Sequence, residues 1–130
     1  MEIQVGTKGK AESIVTEERT AAVVGSGNLP VYATPMMVAL IEEAAWKSVQ
    51  PQLEEGQGSV GTQMDVAHIS ATPMGMKVWA ETEVTAVEGR KLTFAVKAFD
   101  EAGLIGEGTH QRFVIDGEKF LGKCQKKLTK

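Results

Sequence analysis

The segment from Thr34 to Trp46 is almost entirely apolar and constrains the fold more than any other part of the chain. Thr34 is a good helix N-cap, and Pro35 suits the first helical position, where its missing N–H costs nothing. We expect a helix over residues 35–49 that ends before Pro51, because a residue preceding proline disfavours helical angles. A helix with so little polar surface is normally buried on most sides.

Most of the remaining chain alternates between apolar and polar residues, which is typical of strands with one packed face. We expect an antiparallel meander, because compact turns such as Glu88-Gly89-Arg90 join the apolar runs. The predicted strands cover residues 8–17, 59–70, 77–87, the run with Leu92, Phe94, Val96 and Ala98, and 104 to about 115.

A helix without a polar face and a sheet with one apolar face bury each other best when the sheet curls around the helix. The sequence therefore predicts an α+β hotdog fold, with a long central helix wrapped by an antiparallel sheet. Residues 1–130 are expected to form one domain. One copy would leave a sheet edge and much of the helix uncovered. We therefore expect a homodimer with a continuous sheet, and a higher oligomer stays open.

Charge and composition exclude several classes of function. A net charge of −3 gives no electrostatic footprint for nucleic acid. No stretch approaches the roughly 20 apolar residues that span a bilayer, so no membrane partner is expected. The N-terminus lacks the basic start and apolar run of a signal peptide, so we expect a cytoplasmic location. With Cys124 as the one cysteine, neither a disulfide nor a cysteine metal cluster is expected. The lysine-rich tail around it should be solvated.

Two adjacent carboxylates, Glu42 and Glu43, interrupt the apolar helix. They point about 100° apart, and Glu42 directly flanks the stripe that should face the sheet. That stripe consists of Met37, Leu40, Ile41, Ala44 and Ala45. Glu42 is either a helix-surface carboxylate or one held near the core with its desolvation compensated. The pattern leaves both readings open for Glu42 and favours the surface for Glu43.

The two histidines lie on predicted strands. Strict alternation places Gly61 and His68 on opposite faces of one strand. The face of His68 also carries Val60, Thr62, Met64 and Val66. Each histidine is either a satisfied core residue or a general base or donor near neutral pH, and His110 has no supporting partner in the pattern.

A hydroxyl at Thr34, a carboxylate at Glu42 and an imidazole at His68 could together form an acyl-transfer site. The helix N-terminus would offer N–H groups and positive potential to a developing oxyanion. No short motif fixes this arrangement, because the chain has no GxSxG elbow, HExxH metal motif or phosphate-binding glycine loop.

Two stretches, residues 31–42 and 55–73, carry a resemblance to a known family, and residues 87–92 and 106–112 support it. Through them the chain resembles the fluoroacetyl-CoA thioesterase family of hotdog proteins. The resemblance implies an enzyme that hydrolyses an acyl-CoA to the free acid and CoA without a metal or organic cofactor. It also implies a site at the dimer interface, with CoA lying across the outside.

The resemblance implies a role for five residues of this chain. The catalytic residues would be Thr34, Glu42 and His68, and the substrate-binding residues would be Gly61, near the thioester carbonyl, and Arg112, on the last strand. Two departures matter. Residues 20–29 lack the longer, aromatic-containing lid of the fluoroacetyl-specific members, and Pro35 replaces a glycine. The departures therefore leave the implied acyl-CoA hydrolysis in place but not fluoroacetyl selectivity, and a short acyl group stays open as the substrate.

Two other functions stay open. A non-catalytic acyl-CoA-binding or sensing module could have the same fold, since fold does not settle function. An enoyl-thioester hydratase would need an aspartate and a histidine set for water addition. Asp65 and His68 are predicted to point to opposite faces of their strand, which disfavours that chemistry.

Overall fold

The computed structural model of the protein describes residues 2–129, and within them five strands form one antiparallel sheet. The strands are β1 (Lys8–Ile14), β2 (Gln57–His68), β3 (Lys77–Glu88), β4 (Lys91–Asp100) and β5 (Gly103–Asp116). The helices are α1 (Ala21–Val24), α2 (Thr34–Val49) and α3 (Gly117–Gln125). The order across the sheet is β1-β3-β4-β5-β2. The predicted meander is therefore confirmed for β3, β4 and β5, whereas β2 pairs with β5 at one edge instead of with the strand that follows it, and β1 lies at the other edge.

Helix α2 buries one side against the sheet, as its apolar stripe predicts. The buried residues are Met37, Leu40, Ile41, Ala44, Ala45 and Val49. The helix lies so close to β1 that a Cβ at Gly9 would overlap the carbonyl oxygen of Ala44 and lie 2.7 Å from the Cβ of Ser48. The helix and β1 can pack at this distance because position 9 has no side chain.

The opposite side of α2 stays uncovered in a single copy. Pro35 and Ala39 are exposed, and Trp46 is 38% exposed. Strand β2 is also an edge strand, which pairs with β5 alone in the part of the chain that the structure describes. These are the surfaces on which the expected homodimer depends.

A β-bulge in β2 overturns part of the predicted strand faces. The pairing with β5 runs from Gly61 opposite Arg112 to Gln63 opposite Gln111, so Thr62 is the extra residue. An extra residue reverses the alternation of side chains. Gly61 therefore lies on the inner face with His68, and the prediction that they oppose each other is wrong. Val60 and Thr62 do not share that face.

The ends of several elements differ from the prediction by a few residues. Strand β1 ends at Ile14 rather than residue 17, because a 3-10 turn forms at Glu17–Arg19. The tail forms the exposed helix α3, which Asp116 caps by accepting a hydrogen bond from the backbone N–H of Lys119 at 3.2 Å. Within residues 2–129, no helix is long and apolar enough to cross a membrane.

Candidate active site

Thr34 and His68 meet through a hydrogen bond of 2.7 Å between Thr34 Oγ1 and His68 Nδ1. The prediction that Thr34 caps α2 is wrong, because Ala33 is the N-cap residue and no side chain caps the helix. The Ala33 carbonyl accepts the first backbone hydrogen bonds instead, from Met36 and Met37. The Thr34 hydroxyl is therefore free to contact the imidazole.

His68 lies in a partly desolvated position. Its ring meets the ring of Tyr32 edge-on at a centroid distance of 6.5 Å, and its Nε2 is buried without a hydrogen-bond partner among the described residues. Burial lowers the pKa of His68 below the usual 6.5, and the nearby backbone of Ser70 partly opposes the shift. Since desolvation penalises the charged form, the imidazole is neutral at neutral pH, which a general base requires.

A buried aspartate holds the segment that follows His68. Asp100 accepts a hydrogen bond of 2.8 Å from the Thr72 hydroxyl and two more from the backbone of the β4–β5 turn. The Thr72 carbonyl in turn accepts from the Tyr32 backbone N–H at 2.9 Å. A cleft of about 280 Å³ opens beside this segment. Its lining includes Val31, Tyr32, Thr34, His68, Ile69 and Ala71.

Glu42 lies opposite Gly61 on the inner face of β2. A Cβ built on Gly61 would lie 2.6 Å from Glu42 Oε2, so the carboxylate occupies space that any larger residue would take. Glu42 Oε2 lies 3.9 Å from Arg112 Nη1, and the side chain of Glu42 is 41% exposed whereas that of Arg112 is 7% exposed. Glu42 is thus partly exposed and also lies beside the buried guanidinium of Arg112. It combines the two alternatives that the sequence left open, a helix-surface carboxylate and a carboxylate near the core with its desolvation compensated.

Glu43 behaves as the helical pattern predicts. Its carboxylate accepts a 2.8 Å hydrogen bond from Lys47 Nζ one turn along α2, and the side chains of Glu43 and Lys47 are 43% and 56% exposed. A solvent-accessible pair of this kind contributes little to stability. The adjacent glutamates are about equally exposed and differ in their partners, which are Arg112 for Glu42 and Lys47 for Glu43.

The guanidinium of Arg112 is held on three sides. Its Nε donates to the Ser59 hydroxyl and its Nη2 to the Ser59 carbonyl, both at 2.8 Å, while Nη1 lies 3.1 Å from His110 Nε2. Burial lowers the pKa of Arg112, and the Glu42 carboxylate opposes that shift. Ser59 and His110 were not identified as partners from the sequence. Ser59 reaches Arg112 through the register of β2 against β5, whereas His110 lies two residues from Arg112 on the same face of β5, a spacing that strand alternation could have identified.

One copy of the chain brings the predicted site residues together as two groups. Thr34 and His68 form the first, and Glu42, Gly61 and Arg112 form the second. Glu42 lies just over two turns along α2 from Thr34, a rise of about 12 Å at 1.5 Å per residue. Within one copy, the carboxylate of Glu42 is therefore too far from Thr34 to hydrogen-bond to the first group.

Comparison with known proteins gives a consistent set of relatives. A family model described as FlK, fluoroacetyl-CoA-specific thioesterase, matches residues 15–118. The fluoroacetyl-CoA thioesterase of Streptantibioticus cattleyicolor is 46% identical over 97 residues, which cover 75% of this chain and 70% of that protein.

Solved structures agree with the sequence comparison. The crystal structure of the fluoroacetyl-CoA thioesterase FlK superposes with a TM-score of 0.91 at 37% identity, covering 98% of each chain. A thioesterase superfamily member from Thermus thermophilus superposes with a TM-score of 0.88 at 31% identity, covering 96% of this chain and 93% of that one. The predicted hotdog fold, a curled antiparallel sheet around a long helix, is confirmed.

Proposed function

This chain belongs to the fluoroacetyl-CoA-specific thioesterase family, and we propose that it hydrolyses a short-chain acyl-CoA thioester to the free acid and CoA. The observation that carries the proposal is the 2.7 Å hydrogen bond between Thr34 and His68 at the N-terminus of α2. It brings a hydroxyl and a neutral imidazole to the positive end of α2, whose potential can stabilise an oxyanion. Those groups match the needs of acyl transfer.

The reaction requires an attacking oxygen and a protonated leaving group. In the proposed scheme, Glu42 or a water that it activates attacks the thioester carbonyl, and the positive end of α2 stabilises the oxyanion. His68 acts as general base or donor, and Thr34 positions it or relays a proton. The carbon–sulfur bond breaks, a water supplies hydroxyl to the acyl carbon, and its proton neutralises the CoA thiolate. Covalent attack and direct attack by water are both compatible with these residues.

A homodimer would unite the two groups of site residues. We place Thr34 and His68 of one copy near Glu42 of its partner, because about 12 Å separates them along a single α2. The exposed side of α2, with Pro35, Ala39 and Trp46, supports a second copy as its cover. The Nε2 of His68 is buried and has no hydrogen-bond partner among the described residues, and a polar group of the second copy would supply one.

The acyl group that we propose is short. The cleft beside His68 has partly polar walls, which suit a small substituent better than a long alkyl chain. Residues 20–29, which precede α2, include no aromatic side chain. We therefore infer a thioesterase without strong selectivity for fluoroacetyl over acetyl or propionyl groups. A cytoplasmic location, where acyl-CoA is made and used, fits this role.

A thiol-release assay over acetyl-, fluoroacetyl-, propionyl-, hexanoyl- and benzoyl-CoA tests the proposal. We expect turnover on at least one short substrate and a loss of about 100-fold or more in kcat in Glu42→Gln, the scale of general acid–base catalysis. Glu43→Gln is the matched control, because it removes the adjacent carboxylate and only the surface pair with Lys47. No release of thiol on any substrate would contradict the proposal.

The same assay separates the other two functions. A binding or sensing module would gain thermal stability with acyl-CoA but release no thiol. A hydratase would consume crotonyl-CoA without releasing thiol. The structure disfavours a hydratase. Asp65 is exposed and lies three positions before His68 in the regular part of β2 that follows the bulge, so the two side chains point to opposite faces.

A further inference from the structure

His110 is a buried polar residue that the proposed reaction leaves without a role. It lies on β5 opposite Met64 and is 1% exposed. Its ring stacks on that of Phe94 with a centroid distance of 5.9 Å. A phenylalanine or leucine could fill this volume, so packing alone does not explain an imidazole in the core.

Hydrogen bonds fix the tautomer of His110. Its Nδ1 lies 2.8 Å from the Gln63 carbonyl oxygen, which can only accept, so Nδ1 carries the proton. Its Nε2 lies 3.1 Å from Arg112 Nη1, which can only donate, so Nε2 offers a lone pair. A second proton on His110, at Nε2, would point at the Arg112 guanidinium, which can only donate. The imidazole is therefore a neutral acceptor with one allowed orientation, and burial lowers its pKa in the same sense.

This acceptor completes the frame around Arg112. Ser59 holds Nε and Nη2, and His110 holds Nη1, the same nitrogen that lies 3.9 Å from Glu42 Oε2. A guanidinium restrained at all three nitrogens presents one fixed edge to the carboxylate. Without His110, Nη1 would lose its buried acceptor, and only Ser59 would hold the guanidinium plane in position.

We propose that His110 is a positioning residue, which fixes Arg112 so that the Glu42 carboxylate is held in place beside Gly61 and faces the substrate. The proposal rests on the thioesterase function proposed above and extends it to a residue that does not contact the acyl group. His110 contacts Arg112, and Arg112 in turn lies beside Glu42, so the imidazole acts on Glu42 through the guanidinium. A positioning role of this kind alters the reaction rate more than substrate binding.

Two substitutions at position 110 separate positioning from packing. His110→Phe keeps an aromatic ring against Phe94 but removes the acceptor, and His110→Gln restores an amide oxygen that can accept from Arg112. We expect His110→Phe to lower kcat by about 10- to 100-fold with KM nearly unchanged, the rate equivalent of one hydrogen bond to a charged group. His110→Gln should recover most of that loss at a comparable melting temperature. Equal losses in the two folded variants, or a folded His110→Phe with kcat within about twofold of the parent, would overturn the proposal.

A second measurement does not depend on activity. Nitrogen-15 NMR of the imidazoles distinguishes the tautomers, and the chain has only two histidines, so His68→Ala assigns the signals. We expect His110 to be the neutral Nδ1–H form, with its Nε2 shift moving in Arg112→Met. A protonated His110 or an Nε2–H form at pH 7 would overturn the inference even in an inactive protein. If the parent releases no thiol but this signature is present, the proposed function fails and the hydrogen-bond frame stands.

Discussion

Thr34 Oγ1 and His68 Nδ1 lie 2.7 Å apart, so the first turn of α2 and the last residue of β2 meet at one hydrogen bond. The contact exists because the Thr34 side chain does not cap its own helix. Either the Thr34 hydroxyl donates to Nδ1 or a protonated Nδ1 donates to the hydroxyl, and only the first arrangement lets His68 take the hydroxyl proton. The contact therefore links the geometry of the helix N-terminus to the protonation state of the proposed base.

Removing the hydroxyl of Thr34 should slow catalysis without unfolding the protein. Thr34→Val keeps the shape of the side chain and removes the partner of His68 Nδ1. We expect kcat to fall by about 100-fold, within the usual range for a group that takes part in proton transfer. Thr34→Ser keeps the hydroxyl and should stay within a few-fold of the parent. Steady-state thiol release measures both, and similar rates for the two variants would remove Thr34 from the mechanism.

The pH dependence of activity should reflect the environment of His68. Burial lowers the pKa of this imidazole below 6.5, so its neutral form persists as the pH falls through that value. If the neutral form is the active one, kcat/KM stays level through pH 6.5 and declines only at a lower pH. A profile measured from pH 4.5 to 8.5 tests this. An acid limb centred above 6.5 would contradict a neutral His68 in the free enzyme.

A side chain at position 61 should displace Glu42. The Cβ of Gly61→Ala would lie 2.6 Å from Glu42 Oε2, and the carboxylate can escape only by leaving Arg112. We expect kcat to fall by about 10- to 100-fold with the fold retained. Gly58→Ala is the matched control on the same strand, because its Cβ would meet only a methyl group of Ile115 at 3.9 Å. Equal activity in the two variants would show that Glu42 does not need this position.

A side chain at position 9 should separate α2 from β1. The Cβ of Gly9→Ala would overlap the Ala44 carbonyl oxygen and press on Ser48, and the backbone of a helix cannot yield as a flexible side chain can. Overpacking of this kind costs about 1–3 kcal/mol. Gly122→Ala, in the exposed helix α3, has open space and should stabilise by up to about 1 kcal/mol through helix propensity. Urea denaturation of both variants measures the difference in unfolding free energy.

The helix was predictable because its signal is local. The buried stripe with Met37, Leu40 and Ile41 follows directly from a period of 3.6 residues, and the structure buries each of these side chains. The order of β3, β4 and β5 was also predictable, since short turns join each of these strands to the next and favour their pairing. Both inferences need only residues that are close in sequence.

The second group of the site was not predictable from strand periodicity. The bulge at Thr62 reverses the alternation of side chains between the two faces of β2, and no residue pattern in the sequence predicts it. Strict alternation therefore placed Gly61 away from His68. The contact of His110 with Arg112 is local by comparison, because the two residues lie two positions apart on one face of β5. The contacts of Arg112 with Ser59 and Glu42 are set by pairing and packing between distant segments, whereas the resemblance to a family identified Gly61 and Arg112 without locating their partners.

Mixing two inactive variants should restore activity if the site is shared between copies. In a heterodimer of Thr34→Val and Glu42→Gln, one site would combine the intact Thr34 and His68 of one copy with the intact Glu42 of the other. Random pairing predicts roughly a quarter of the parent rate after the two variants are unfolded and refolded together. If each site were contained in one copy, every site would keep one defect and no rate would return. Refolding each variant alone is the control, and light scattering of the parent gives the oligomeric state.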